Sequence, residues 1–394
     1  MARTGSNRFP SKMEEGLNMR NPFISPKTAA AGLALALISL IAVPVMAQMA
    51  KAPTKSGIRR MPDGHPDLQG TYDLATMTPM ERMPNDPPAL TKEQADKIQK
   101  AELARRTADG GKLDPNRGAL PVGGDKTQGK TFFEILEKGG GGAVGGYDRL
   151  WLNQGTAYTM VDGQIRTSIV IDPPNGRVPP FNAAAKKRGA GARGVQTSDA
   201  GESQDIRAVS RRGEYDNPED RPLSERCLLG FGSTSGPPAL PDYFYNDMHR
   251  IVQTPDSIMI LTEMIHDARI VRMNGQHLPQ NIRRWMGDSV GHWEGDTLVI
   301  DTTNFTNKTR FRGSTENLHV VERLTRIDDK TLLYRFTVED PQTWDQPWTG
   351  EMTWPATNQP MLEYACHEGN YALGDMMRGA RKQEADEAAA SGKK

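Results

Sequence analysis

Hydrophobic and polar residues alternate with a period of two through much of the second half of the chain. The pattern is plainest over 332–339, where Leu332, Tyr334, Phe336 and Val338 share one face and Leu333, Arg335, Thr337 and Glu339 share the other. Such alternation is the mark of a half-buried strand. The stretch 287–304, GDSVGHWEGDTLVIDTTN, gives the sharpest reading. Two extended runs, 290–294 and 297–303, flank Gly295-Asp296. A Gly first in a two-residue loop suits a type II′ turn, whose twist matches that of the strands it joins. A loop of that length sets the register. Glu294 then opposes Thr297, Trp293 opposes Leu298, His292 opposes Val299 and Val290 opposes Asp301. Trp293, Leu298 and Ile300 form a core face. His292, Glu294, Thr297, Val299 and Asp301 form the other, which either meets water or lines a cavity.

The same signals recur elsewhere. Asp162-Gly163 between 156–161 and 164–171 predicts a type I′ hairpin. Residues 67–72, 249–253, 258–265, 270–273, 318–327, 349–354 and 361–367 read as further strands. Thr91 with Gln94 three positions on predicts a capped helix from 91 to about 106. A short helical pattern covers 131–138, and a longer one covers 370–390. The ten to twelve strands are mostly linked as sequential hairpins, and sequential strands tend to be neighbours. The predicted fold is mainly β: an antiparallel meander closing as an up-and-down, lipocalin-like barrel with peripheral helices. A two-sheet β-sandwich is the alternative. No period of 40 to 50 residues suggests a propeller.

Composition sharpens this picture. The 28 Pro and 39 Gly fit a turn-rich β fold, and 49 basic against 49 acidic residues give no excess charge for a nucleic-acid partner. Residues 28–50 carry no charge, follow Arg20 and Lys27, and end in Val45-Met46-Ala47. This is the layout of a secretory signal peptide, 1–47, with cleavage before Gln48. The membrane then enters only through that segment before cleavage. A polar lead-in, 48–64, precedes a single β-rich domain, 65–382. Residues 182–222 are poor in large apolar groups and read as an exposed insertion; 383–394 form a charged tail. The two cysteines, Cys227 and Cys366, allow one disulfide, which an exported protein would form.

Candidate chemistry centres on histidines with acidic neighbours: His266 beside Asp267, His292 near Glu294, His319 near Glu322 and His367 beside Glu368. Imidazole exchanges protons near neutral pH, and a carboxylate orients it and raises its basicity. The preferred set is His266, His292 and His367, with His319 taken as structural. His266 or His292 is the candidate base, Asp267 and Glu294 the orienting or acid groups, Arg269 the anion partner, and His367 with Glu368 a second acid–base pair. Zinc accepts His, Asp and Glu donors, but no HExxH occurs and no nucleotide motif is present. Residues 139–142 are four glycines without the Lys-Ser/Thr of a phosphate-binding loop. Residues 232–236, GSTSG, match a nucleophile elbow in outline but place Thr234 at the nucleophile position. Trp344 and Trp348 flank Pro347 and are expected at a pocket lip.

One further feature is a set of motifs: Asp172-Pro-Pro-Asn-Gly-Arg177, Arg226-Cys-Leu228, His266-Asp-Ala-Arg269, Trp293-Glu-Gly-Asp-Thr-Leu-Val299, Thr303-Asn-Phe305 and Tyr364-Ala-Cys-His-Glu-Gly-Asn-Tyr371. Taken together over 65–382, the set resembles a family of exported bacterial proteins of uncharacterised activity, common in soil bacteria. Residues 182–215 look like an insertion relative to that pattern. The resemblance implies export and a single large domain, and no activity. The functional expectation is therefore an exported hydrolase or lyase using His/carboxylate acid–base chemistry on a small organic or carbohydrate-derived substrate. The alternatives are a non-catalytic small-molecule-binding barrel of the cell envelope and an envelope structural protein without an enclosed cavity.

Overall fold

The hairpin over 288–303 forms in the register its turn dictates. Glu294 pairs with Thr297, Trp293 with Leu298, His292 with Val299 and Val290 with Asp301. Gly295 alone of the two turn residues takes a left-handed φ, 60°, as a type II′ turn requires. At Asp162-Gly163 both residues have positive φ, 50° and 73°, and the turn is the type I′ form. Thr91 caps its helix as expected: its hydroxyl accepts from the Gln94 amide at 3.2 Å, and the Gln94 side chain accepts from the Thr91 amide at 2.9 Å.

The computed structural model describes residues 58–109, 155–188, 215–221, 223–230, 236–241 and 246–392, all within one compact unit, 53–394. In chain order the elements are β1 (Gly70–Asp73), β2 (Ala89–Leu90), α1 (Lys92–Asp109), β3 (Met160–Val161), β4 (Gln164–Arg166), β5 (Val170–Asp172), α2 (Ala183–Lys187), β6 (Met248–Gln253), β7 (Ser257–Thr262), β8 (Ala268–Met273), β9 (Asp288–Glu294), β10 (Thr297–Thr303), β11 (His319–Asp328), β12 (Thr331–Glu339), β13 (Trp348–Thr357) and α3 (Ala372–Ala390). The predicted segment 1–47, the helix at 131–138, the glycine run at 139–142 and the nucleophile-like residues 232–235 lie outside the described residues. No described helix is long and apolar enough to cross a membrane.

The main sheet runs β1-β6-β7-β8-β9-β10-β11-β12-β13, and β1 pairs back onto β13, so nine strands close into a barrel. The seam is short: Thr71 faces Thr357 and Tyr72 faces Ala356. Above it, β5 pairs with β13 at Thr349 and Gly350. A small sheet, β2-β4-β3, lies against β13. The meander departs from strict alternation once. Strands β8 and β9 run parallel, with Val271 opposite Ser289 and Met273 opposite Gly291. A parallel pair needs a crossover rather than a hairpin, and residues 274–287 supply it. The end where β6 begins and β7 finishes is termed the upper rim. From the register, the turns after β6, β9 and β11 lie at the lower rim.

The interior is packed by the alternating residues the pattern marked. Leu332, Tyr334, Phe336 and Val338 are all fully buried, with Leu298, Ile300, Val320 and Leu324. Trp344 and Trp348 belong to this core, 2 % and 0 % exposed, their rings edge-on at 5.9 Å. That corrects their expected place at a pocket lip: Trp348 opens β13 and points inward, so Pro347 ends the loop before it. The expected strand at 361–367 does not form; the chain there is irregular, tied down by the Leu362 amide donating to Glu263 and by the disulfide between Cys366 and Cys227. Within the predicted insertion, Asn182 caps α2 by accepting from the Ala185 amide at 2.9 Å, and Arg221 is buried on Glu225 at 2.8 Å.

Candidate acid–base site

Inward-facing positions on three adjacent strands bring polar groups together at the upper rim. His249 on β6 pairs across to Thr262 on β7, and the Thr262 amide donates to the Asp267 carbonyl at 2.8 Å. Arg269 on β8 lies opposite Ile260. By strand parity, Asp267, Arg269 and Val271 point inward while Ala268 and Ile270 point out and are exposed. The approach is made through Ile265 and His266, consecutive non-glycine residues with φ of 59° and 49°. For a β-branched residue such a φ is strained, and strain of this kind gathers where geometry serves a site.

Arg269 is buried and holds Glu322 through both terminal nitrogens, one of them at 2.8 Å. Tyr334 donates to the same carboxylate at 2.7 Å and accepts from the Ala239 amide at 2.9 Å. Burial opposes the charge of Arg269, but Glu322 outweighs it and the guanidinium holds its proton more tightly than usual. His249 is 2 % exposed. Its Nδ1 lies 3.3 Å from the Asp247 carbonyl, which only accepts, so Nδ1 carries the hydrogen and Nε2 a lone pair. Burial, aided by the positive charge of Arg269, pushes its pKa down to about 4. Burial pushes Asp267 up to about 6, against the opposing pull of His266. Three buried atoms here have no hydrogen-bond partner among the described residues: His249 Nε2, Arg269 Nε and Asp267 Oδ2. Trp354 Nε1 is a fourth, on a ring 5.5 Å from that of His249.

The seven residues singled out from the sequence do not meet in one place. His266, Asp267 and Arg269 are at the upper rim, with the His266 ring exposed. His292 and Glu294 sit on the outer face at the lower rim, each 49 % exposed, bonded to each other at 3.2 Å, and with Arg323 donating to Glu294. The Arg323 and His292 hydrogen bonds hold the Glu294 carboxyl below its usual range. The polar face of this hairpin thus meets water at its His292–Glu294 end, while Val299 is buried and Asp301 is half-buried between His277 and His319. His367 and Glu368 are exposed on the irregular segment after β13, and no hydrogen bond or ion pair joins them to the other five. The expected convergence fails because β9, running parallel to β8, carries its last residues to the opposite end.

His249 was visible in the sequence only as a histidine opening an apolar strand; its partner is a backbone carbonyl, which leaves no sequence signal. No group of three or more His, Cys, Asp or Glu among the described residues is arranged to hold a metal ion. A cavity of about 250 Å³ beside α1, lined by Met77, Asp96, Lys100, Leu103 and Thr156 among others, contains none of the upper-rim residues. Comparison with protein-family models, curated proteins and solved structures gives no match.

Proposed function

We propose that the chain is an exported enzyme working by general acid–base chemistry, a hydrolase or lyase acting on a small organic or carbohydrate-derived substrate. The observation that carries this reading is the set of buried, unpartnered atoms on the inward face of the upper rim. Buried polar atoms are nearly always hydrogen-bonded, so a cluster left open invites a ligand. In this reading His249 Nε2 is the base and takes a proton from water or from the substrate. Asp267, protonated on the acid side of its raised pKa, gives its proton to the leaving group. Arg269, fixed by Glu322, turns its free Nε–H to the oxygen that gains charge. Bulk water returns the proton to Asp267 and removes the one on His249. Export is supported by the apolar segment 28–50 and by the Cys227–Cys366 disulfide. Membership of the exported family is proposed on the motif set alone.

The two pKa values set the pH dependence. His249 is neutral above about 4 and Asp267 protonated below about 6, so both are ready only between those limits. Turnover of chromogenic esters, glycosides or elimination substrates should peak in that acid window. Asp267→Asn should remove the alkaline limb, and both it and His249→Gln should lower kcat by roughly 10²–10⁴-fold. Unchanged turnover in both variants would overturn the reading. A binding barrel without turnover is the second reading. It is favoured by the aromatic surround of the cluster, where the tilted rings of Tyr334 and Trp354 lie 4.5 Å apart. It predicts a small molecule that co-purifies with the protein, is lost in His249→Gln, and is never converted.

A further inference from the structure

The outer wall of the barrel carries an unbroken row of alternating carboxylates and imidazoles. Asp288 Oδ2 faces His277 Nδ1 at 3.2 Å, and His277 Nε2 faces Asp301 Oδ1 at 3.0 Å. Asp301 Oδ2 faces His319 Nε2 at 3.1 Å, and His319 Nδ1 lies 3.6 Å from Glu339 Oε2. Every nitrogen of both rings therefore points at a carboxylate oxygen. An ionised carboxylate only accepts hydrogen bonds, so each contact is complete only when its nitrogen carries hydrogen. A neutral imidazole has one N–H and one lone pair, and the lone pair would be set against a negative oxygen. The row is fully satisfied only when both rings are imidazolium. Charge is then balanced: three carboxylates against two imidazolium ions and Arg272, which holds Asp288 at 2.9 and 3.0 Å.

The placement matters as much as the pairing. His277 belongs to the crossover 274–287 that the parallel β8–β9 pair demands, whereas its partners stand on the barrel wall. Leu278 of the same crossover also donates its amide to Asp288, at 2.9 Å, and its carbonyl accepts from Asn304 at 2.8 Å. We propose that the row is a proton-operated latch. It pins the start of the crossover to the wall while both imidazoles are protonated, and loosens it when they are neutral. The charged groups facing the two rings are Asp288 from β9 with Arg272 of β8 behind it, Asp301 from β10 and Glu339 from β12.

The sign of the pH effect follows. The hydrogen bond to Asp301 raises the His319 pKa against the opposing effect of burial. That stabilisation is complete below the unfolded histidine value and is lost as pH rises through the folded one. Burial would raise the Asp301 pKa, but the bonds from His319 and His277 outweigh it and lower it. Its share is present above the ordinary aspartate range and is lost as pH falls through the lowered value. The His319 end of the row therefore holds in mildly acidic solution and loosens toward the alkaline side.

Hydrogen exchange read by mass spectrometry at about pH 5.5 and about pH 8, either side of the imidazole range, tests this. Rates are corrected for intrinsic pH dependence, and peptides from β6 and β7 serve as references. The wild type should lose protection over 274–282 by roughly tenfold at the higher pH. His277→Gln and Asp301→Asn should be loosened at both pH values with no step between them. His277→Gln lies on the connection rather than in a strand, so it keeps the test readable should Asp301→Asn unfold. Equal corrected protection of the wild type at both pH values would overturn the latch, as would a step that survives in His277→Gln. A stoichiometric divalent metal on the purified protein, lost in His277→Gln, would also overturn it by making the rings ligands.

Discussion

Glu322 is fully buried, and its two oxygens take three hydrogen bonds, from the two terminal nitrogens of Arg269 and from Tyr334. Removing one member of a buried pair strands the other charge in a medium that cannot solvate it. Glu322→Gln should therefore cost about 3–5 kcal/mol in chemical denaturation, and Tyr334→Phe only about 0.5–1.5 kcal/mol. A loss for Glu322→Gln no larger than that for Tyr334→Phe would mean that water reaches Arg269. The sequence marks Arg269 because it follows His266-Asp267 at the end of an apolar run. It does not mark Glu322 as the partner, because the two are 53 positions apart and meet only through the barrel's interior. His319 illustrates the converse. Glu322 stands three positions on along the same strand, yet parity sends Glu322 inward and His319 outward, onto Asp301.

At the level of single elements, the strand and turn assignments were legible where the turn chemistry was local. Gly295 and Asp162-Gly163 fix their turns through backbone φ alone, so the registers on either side follow. The parallel join of β8 to β9 was not legible, because residues 274–287 show no helical period to announce a crossover. Nor was the irregular course of 361–367, whose apolar run reads like the strands before it. Gly350 shows how closely the elements fit. It lies on the inward face of β13 opposite Phe336, and an added methyl would stand 2.3 Å from the ring. Overpacked cores lose stability because side chains or backbone must shift. Gly350→Ala should lower stability by about 1–3 kcal/mol, read as a lower denaturation midpoint with an unchanged slope. An unaltered midpoint would show that Phe336 has room to turn away.

For the whole molecule, the disulfide is the longest covalent constraint. It joins Cys227 to Cys366 across 139 positions and ties the segment after β13 to the chain ahead of β6. Closing a loop of that length restricts the unfolded chain more than the folded one. Reduction, or Cys366→Ser with Cys227→Ser, should lower stability by about 2–5 kcal/mol while leaving the barrel's circular dichroism unchanged. Loss of the β signal on reduction would mean that the bridge is needed to form the barrel rather than to secure one end of it. The barrel class was readable from the count and order of alternating segments. The site was readable only in part, since it depends on which strand ends share a rim.

The seam between β1 and β13 has a consequence for how the chain is made. Residues 71 and 72 find their partners only at 356 and 357. A growing polypeptide therefore carries an unclosed sheet, with two bare edges, until nearly the whole domain has left the ribosome or the translocation channel. Bare edges are templates for pairing with other chains. The time between synthesis of Thr71 and arrival of Thr357 is thus the window in which the nascent protein depends on chaperones, and ribosome-stalled chains ending before 356 should bind them most strongly.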